Sequence, residues 1–295
     1  MKFQEGREAG AMSSKESPTI AQWQLAQALT ALRGGKSQRQ LARELDVDAS
    51  TLVRWEGGET VPREKQLRKV LAHFGISEHE TEQLVKLRTD AAAPSWWQDS
   101  DVAKAYGQYI DLERVATQIA TYQDRLVPGL LQTEAYARAI LVAGHPRATA
   151  EEIDDLLHVR MKRQEEWESG ETLFWAIIDQ AALEKHIGGA QVMLDQVKHL
   201  QKIADHPRVD LQILPNSAGA HAALQSGSFV LLEVDSPVLQ AVYIEAHTRN
   251  LLLDHPKEVA AHRRLLDHLR AAAANTPETN SLLLRLINEY ESVEG

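Results

Sequence analysis

Between Ser37 and Glu56 the chain carries two short apolar stripes at helical spacing, parted only by Asp46-Val47-Asp48. The first stripe is Leu41, Ala42 and Leu45; the second is Leu52 and Trp55. Helices of about two turns are marginal alone, so each must bury its stripe against the other. Ala42 is small enough to let the two axes cross closely, and Leu52 and Trp55 then face Leu41, Leu45 and Val47. That packing leaves Ala49, Ser50, Thr51, Val53 and Arg54 on the outward side of the second helix. They are small or polar, as a helix that enters a DNA major groove must be.

The flanking sequence extends this pair into an all-α domain. A helix is expected over Ile20–Arg33, with Leu25, Ala28, Leu29 and Leu32 inward and Gly34-Gly35 as its stop. Gly57-Gly58 closes the third helix, and Pro62 fits the first turn of a fourth that runs to Phe74. Ser77 and Glu80 have capping-box spacing for a fifth helix ending near Arg88. The organisation expected is a disordered arm over 1–18, a five-helix DNA-binding domain over 19–89, a linker over 90–98 and an α+β domain over 99–295. Trp96-Trp97 would dock the start of that second domain. Its helices are expected near 101–119, 133–143, 150–168, 180–186, 190–204, 257–272 and 278–292. Strand-like runs at Thr172–Ile178, Val209–Leu214, Ser228–Val234 and Val238–Glu245 give a small sheet of about four strands, with Asp235-Ser236-Pro237 as a hairpin turn.

Charge is divided unevenly. Residues 1–90 hold 14 Lys+Arg against 13 Asp+Glu, whereas residues 91–295 hold 18 against 29. The acidity therefore belongs to the second domain, which does not suit DNA and points to a basic or neutral partner, or only to solubility.

The run Ser37-Gln38-x-x-Leu41-Ala42, Leu45-x-Val47, Ser50-Thr51-Leu52-x-Arg54-Trp55-Glu56-x-Gly58 and Pro62 resembles the XRE family of Cro- and phage-repressor-like helix-turn-helix regulators. The resemblance implies that Gln38 hydrogen-bonds a phosphate, that Arg43 and Gly57 lie near backbone phosphates, and that Ala49, Ser50 and Arg54 face base edges; Arg39, Thr51 and Val53 are expected in the same DNA-binding surface. It further implies a structural ion pair between Glu56 and Arg33. Two positions depart from the pattern: Asp46 stands at the turn usually held by glycine, and Asp48 replaces the usual serine or threonine cap. Aspartate caps helices well, but its charge opposes nearby phosphates.

A second resemblance covers about 190 residues. Val127-Pro128-Gly129-Leu130-Leu131-Gln132-Thr133-x-x-Tyr136-Ala137-Arg138, Arg160-x-x-Arg163-Gln164, Ile178-x-x-x-Ala182-Leu183, Gly188-Gly189, Ile213-Leu214-Pro215 and Gly227-Ser228-Phe229 follow one another as in the uncharacterised domain of WhiJ-type actinomycete regulators. That likeness implies a small partner protein encoded nearby, which binds the regulator and relieves its hold on DNA. An antitoxin-like protein that chiefly sequesters this partner, or a sensor of a small molecule, are the alternatives. Read from the residues, Pro128-Gly129 is a tight turn between a strand-like stretch, Thr121–Val127, and a helix capped by Thr133. Arg160 and Arg163 share a helix face that is either solvated or acid-binding. Leu283, Leu286 and Ile287 belong to an apolar cluster near the chain end that either docks the last helix or meets the partner.

No cysteine is present, which removes disulfides, cysteine-ligated metals and thiol nucleophiles. No apolar run approaches the roughly 18 residues of a membrane span, and the first twenty residues lack a signal-peptide core. His221, Glu233, Glu245 and His247 lie in or near strands, but only Glu245-x-His247 has locally suggestive spacing, and no phosphate loop or hydrolase motif occurs. The sequence reads as a cytoplasmic double-stranded-DNA-binding regulator, a repressor-like homodimer, with no catalytic site, metal or cofactor expected. One helix-turn-helix reads too few base pairs for useful specificity, hence the expectation of a dimer.

Overall fold

The computed structural model describes residues 19–93, 107–235, 238–245 and 250–294. The arm over 1–18, the Trp96-Trp97 segment, the Ser236-Pro237 turn and His247 lie outside the described residues. The chain divides into two compact units, Met1–Ala93 and Pro94–Gly295.

The first unit is helical: α1 Ile20–Arg33, α2 Gln38–Leu45, α3 Ala49–Glu56, α4 Glu64–His73 and α5 Glu78–Ala92. Side chains of Thr19, Ser37 and Ser77 cap α1, α2 and α5, taking up backbone N–H groups that have no partner within the helix. Gln22 also donates to Ala91 O at 3.2 Å, tying the start of α1 to the end of α5. Leu25, Leu29, Leu41, Leu45, Leu52, Trp55, Leu67, Val70 and Leu71 form one core. Pro62 does not open α4 as expected. Arg63 is the N-cap, and Pro62 precedes it, buried, with its carbonyl accepting from Arg88 Nε at 3.0 Å.

The second unit is α+β. Its helices are α6 Gly107–Val115, α7 Glu134–Gly144, α8 Ala150–Ser169, α9 Gln180–Leu183, α10 Ala190–Ile203, α11 Pro256–Ala272 and α12 Thr276–Glu294. Its strands are β1 Gln118–Gln123, β2 Leu173–Asp179, β3 Val209–Leu214, β4 Phe229–Asp235, β5 Val238–Ile244 and β6 Leu251–Leu253. They form one six-stranded sheet in the order β3-β2-β1-β4-β5-β6. The three strands β1, β2 and β3 are parallel; β4, β5 and β6 each run antiparallel to the neighbour before them.

The expectation of about four strands is thus corrected to six. β1, the central strand, begins at Gln118, inside the helix expected over 101–119. Its sequence, Gln-Ile-Ala-Thr-Tyr-Gln, alternates poorly because it is buried on both faces. Its polar atoms are satisfied internally: Thr121 Oγ1 donates to Phe229 O at 3.0 Å and Tyr122 Oη to Asp179 Oδ2 at 3.3 Å. α11 lays Val259, Leu266 and Leu269 over Ala120, Tyr122, Ile177, Leu231 and Val242 on one face. The alternate residues Ile119, Phe174, Ala176, Ile178 and Leu232 are buried too, so both faces are covered.

Candidate nucleic-acid interface

α2 and α3 cross as a helix-turn-helix because three features fix the turn. Asp46 ends α2 in the left-handed conformation (φ 51°) and is the one non-glycine residue at positive φ among the described residues. Its N–H and that of Val47 return to Arg43 O at 3.3 Å and Ala42 O at 3.0 Å. Lys69 Nζ reaches from α4 to Leu45 O, placing a cation at the negative end of α2. Leu52 and Trp55 then bury the back of α3 at 1% and 3% exposure. Asp48 occupies the N-cap position but its side chain makes no capping bond, contrary to the expectation of a good cap.

The front of α3 is formed by Ser50, Val53 and Arg54, all exposed, with Val53 at 48%. Arg54 lies back along its own helix on two long contacts, 3.4 Å to Ser50 O and 3.5 Å to Thr51 Oγ1. Such distances hold the guanidinium weakly, leaving it able to extend. Ala49 and Thr51 are half-buried, and Ala49 packs on the helical core, so the outward set is narrower than the spacing suggests. Arg39 and Arg43 are exposed on α2 with no ion pair among the described residues. Gly57 is exposed just beyond α3; a Cβ there would stand 3.2 Å from Val53 O.

Glu56 organises the far side of the motif. Its carboxylate, 4% exposed, accepts from Arg33 Nε at 2.7 Å and from Gln38 Nε2 at 2.6 Å. Arg33 also donates to Lys36 O at 2.7 Å. The Gln38 amide is therefore turned inward onto Glu56, whereas a phosphate contact requires it to face outward.

In the second unit none of the residues expected at a partner surface is exposed. Arg163 is 10% exposed and makes a bidentate pair with Glu113, at 2.7 and 2.8 Å, under the ring of Tyr109. Burial alone would lower its pKa, but the Glu113 carboxylate outweighs burial and raises it. Arg160 donates to Gln132 Oε1 beside Gly129, where a Cβ would meet the guanidinium at 3.4 Å. The solvated arginine face is thus corrected: both guanidinium groups are held by the unit's own groups. Leu283, Leu286 and Ile287 are 0%, 3% and 7% exposed, and α12 packs along α10. They dock the final helix and present no open surface.

The Val127–Arg138 run forms a buried polar lattice. Gln132 Nε2 donates to Val127 O, Gln164 Nε2 to Gly129 O and Gln132 O, and Gln196 Nε2 to Leu131 O, while Gln196 Oε1 accepts from Thr133 N. Together they satisfy backbone groups within and on either side of the short 3-10 turn Gly129–Leu131. The run is structural here, and Gln164 and Gln196 belong to it although neither lies within it. Of the polar residues near strands, Glu233 pairs with Arg263 at 2.9 Å, and His221 faces Asp179 at 3.9 Å. Among the described residues no group of three or more His, Asp or Glu side chains could hold a metal ion, and no helix is long and apolar enough to cross a membrane.

Comparison with known proteins agrees with these two units. Residues 24–84 match a family described as a helix-turn-helix domain, and residues 106–285 match one described as a domain of unknown function, DUF5753. No curated protein and no solved structure matches. The first match is of the XRE type and indicates a DNA-binding regulator rather than an enzyme. The second match spans more than half of the sequence, and the chain belongs to the DUF5753 family, carrying a helix-turn-helix domain ahead of the family's own domain.

Proposed function

We propose that the chain is a sequence-specific transcription regulator that reads double-stranded DNA with α3 and receives its signal through the second unit. The observation that carries the reading is the two-sided character of α3. Leu52 and Trp55 anchor its back in the core, while Ser50, Val53 and Arg54 stand exposed on its front. Arg39 and Arg43, exposed on α2, supply positive charge for the phosphate backbone.

Two copies acting on a two-fold operator follow from the short reach of one module, with half-sites about one helical turn, roughly 34–36 Å, apart. The acidic second unit favours a basic protein partner, because complementary charge speeds encounter. The burial of Leu283, Leu286 and Ile287 moves any such contact away from the chain-end cluster.

Fluorescence anisotropy with full-length protein and genomic fragments tests the proposal. Tight binding to a limited set of fragments, weakening steeply with salt as counterions are released, supports it. Equal, weak binding to all fragments at every salt concentration contradicts it.

A further inference from the structure

The sheet brings a second group of polar residues together, well separated in sequence from the helix-turn-helix. Strands β1, β2 and β3 are parallel, and the segment 215–228 leaves β3 to enter β4 on the far side of β1. It therefore crosses the carboxyl ends of β2 and β1, which is where open sheets with parallel strands take their ligands. Tyr122 and Asp124 stand at the end of β1, Asp179 at the end of β2, and His221 and Ser228 on the crossing segment.

The two hydroxyl groups donate within the cluster, to the two carboxylates. Tyr122 Oη donates to Asp179 Oδ2 at 3.3 Å, and Ser228 Oγ donates to Asp124 Oδ1. His221 Nε2 faces Asp179 Oδ2 at 3.9 Å, and the imidazole meets the Tyr122 ring edge-on at 5.9 Å. Nδ1 is the ring's other nitrogen, a donor or an acceptor according to where the ring proton sits. This Nδ1 is buried and has no hydrogen-bond partner, on a side chain that is 7% exposed. Buried polar atoms without partners are rare, and one on a side chain that faces a carboxylate marks a place where a ligand can complete the hydrogen bonding.

Asp124 offers the matching opening. Its Oδ1 is occupied by Ser228 and by Arg125 Nε at 3.2 Å. Its Oδ2 lies beside Gly227 (φ 70°), 4.0 Å from where a Cβ there would stand. The side chains of Asp124 and Asp179 are 30% and 18% exposed, so the group is reachable from solvent. Burial and the two carboxylates hold the Tyr122 phenol protonated well above its ordinary range, so it adds no charge.

We propose that Tyr122, Asp124, Asp179, His221 and Ser228 form a binding site for a cationic nitrogen group, a guanidinium or primary ammonium. Only such a group brings several donors and a positive charge to a cluster of acceptors with two carboxylates. The group can belong to a small molecule or to a side chain of a basic protein. The inference stands whether or not α3 reads DNA.

The test is calorimetric titration of the full-length protein at constant ionic strength. The probes are free L-arginine, free L-lysine, and tripeptides with blocked termini carrying one arginine or one lysine, with tetramethylammonium as a charge control that cannot donate. Saturable binding of at least one probe, and none of tetramethylammonium, is expected. The free amino acids and the blocked peptides then separate a metabolite source from a protein source. Asp124→Asn and His221→Phe should each weaken binding tenfold or more. Imidazole ¹⁵N spectra of the wild-type protein supply a readout that does not depend on variant folding: the His221 Nδ1 resonance should move with probe saturation. The proposal is overturned by no saturable binding of any probe, by unchanged binding in folded variants, or by an Nδ1 resonance that stays in place at saturation.

Discussion

Gln38 at the start of α2 and Glu56 at the end of α3 are joined by a 2.6 Å hydrogen bond that spans the helix-turn-helix. The same carboxylate holds Arg33 of α1, so one buried acidic group links three helices. Glu56→Ala should leave Arg33 without its counterion and cost about 3 kcal/mol, near the lower end for a broken buried pair because Arg33 is partly solvated. Denaturant unfolding of the full-length protein measures it. Gln38→Ala should cost about 1 kcal/mol, the scale of one hydrogen bond. It should also weaken binding to cognate and non-cognate DNA alike, if the amide turns outward to a phosphate in the complex.

Asp48 invites a gain of function. It is exposed, sits at the N-cap of α3 and makes no capping bond there. Its charge faces the approach of phosphates at the end of the helix that would enter the groove. Asp48→Ser should remove that repulsion and raise DNA affinity several-fold. A serine that caps α3 adds about 1 kcal/mol of stability. Anisotropy and thermal unfolding read the two effects separately.

The buried pair Arg163–Glu113 should act on the second unit alone. Arg163→Met leaves Glu113 buried without a counterion and should destabilise by about 3–5 kcal/mol. Adding Glu113→Leu should recover much of that loss, since an apolar pair can replace a buried ion pair. Calorimetry should show the change in the transition of the second unit, with DNA affinity of the folded protein unaltered.

Alkaline pH should weaken the second unit as well. Burial, with Glu184 and Glu289 nearby, pushes the Tyr290 phenol up to about 12, and its Oη donates to Leu183 O at 2.7 Å. An unfolded tyrosine ionises near pH ~10. Because the folded value is the higher one, the contribution is complete below the unfolded value and is lost as pH rises through the window between them. The melting temperature should fall over that window, and Tyr290→Phe should flatten the fall. A pH-independent melting temperature there contradicts the assignment.

The helical unit was legible in the sequence because its signals are local. Ser37 and Ser77 cap helices, Gly34 ends one, and Leu41, Leu45, Leu52 and Trp55 recur at helical spacing. β1 was legible only in part, as the strand-like stretch from Thr121, because a strand buried on both faces need not alternate and its polar atoms find partners over 50 residues away in sequence, at Asp179 and Phe229. The same distance hid the roles of Arg160 and Arg163. Their spacing on α8 identifies a shared face, but only the fold brings Gln132 and Glu113 to it. Asp179 drew no notice as a partner of His221 for that reason too.

In vitro selection from a random duplex library, with wild-type protein and Arg54→Ala in parallel, tests the central claim most directly. The account predicts that wild-type protein enriches one two-fold sequence. Arg54→Ala should cost about 1–3 kcal/mol on that sequence and lose discrimination at one base pair per half-site, as expected for a bidentate contact to guanine. Absence of an enriched sequence with wild-type protein, or an identical one selected by Arg54→Ala, would contradict it.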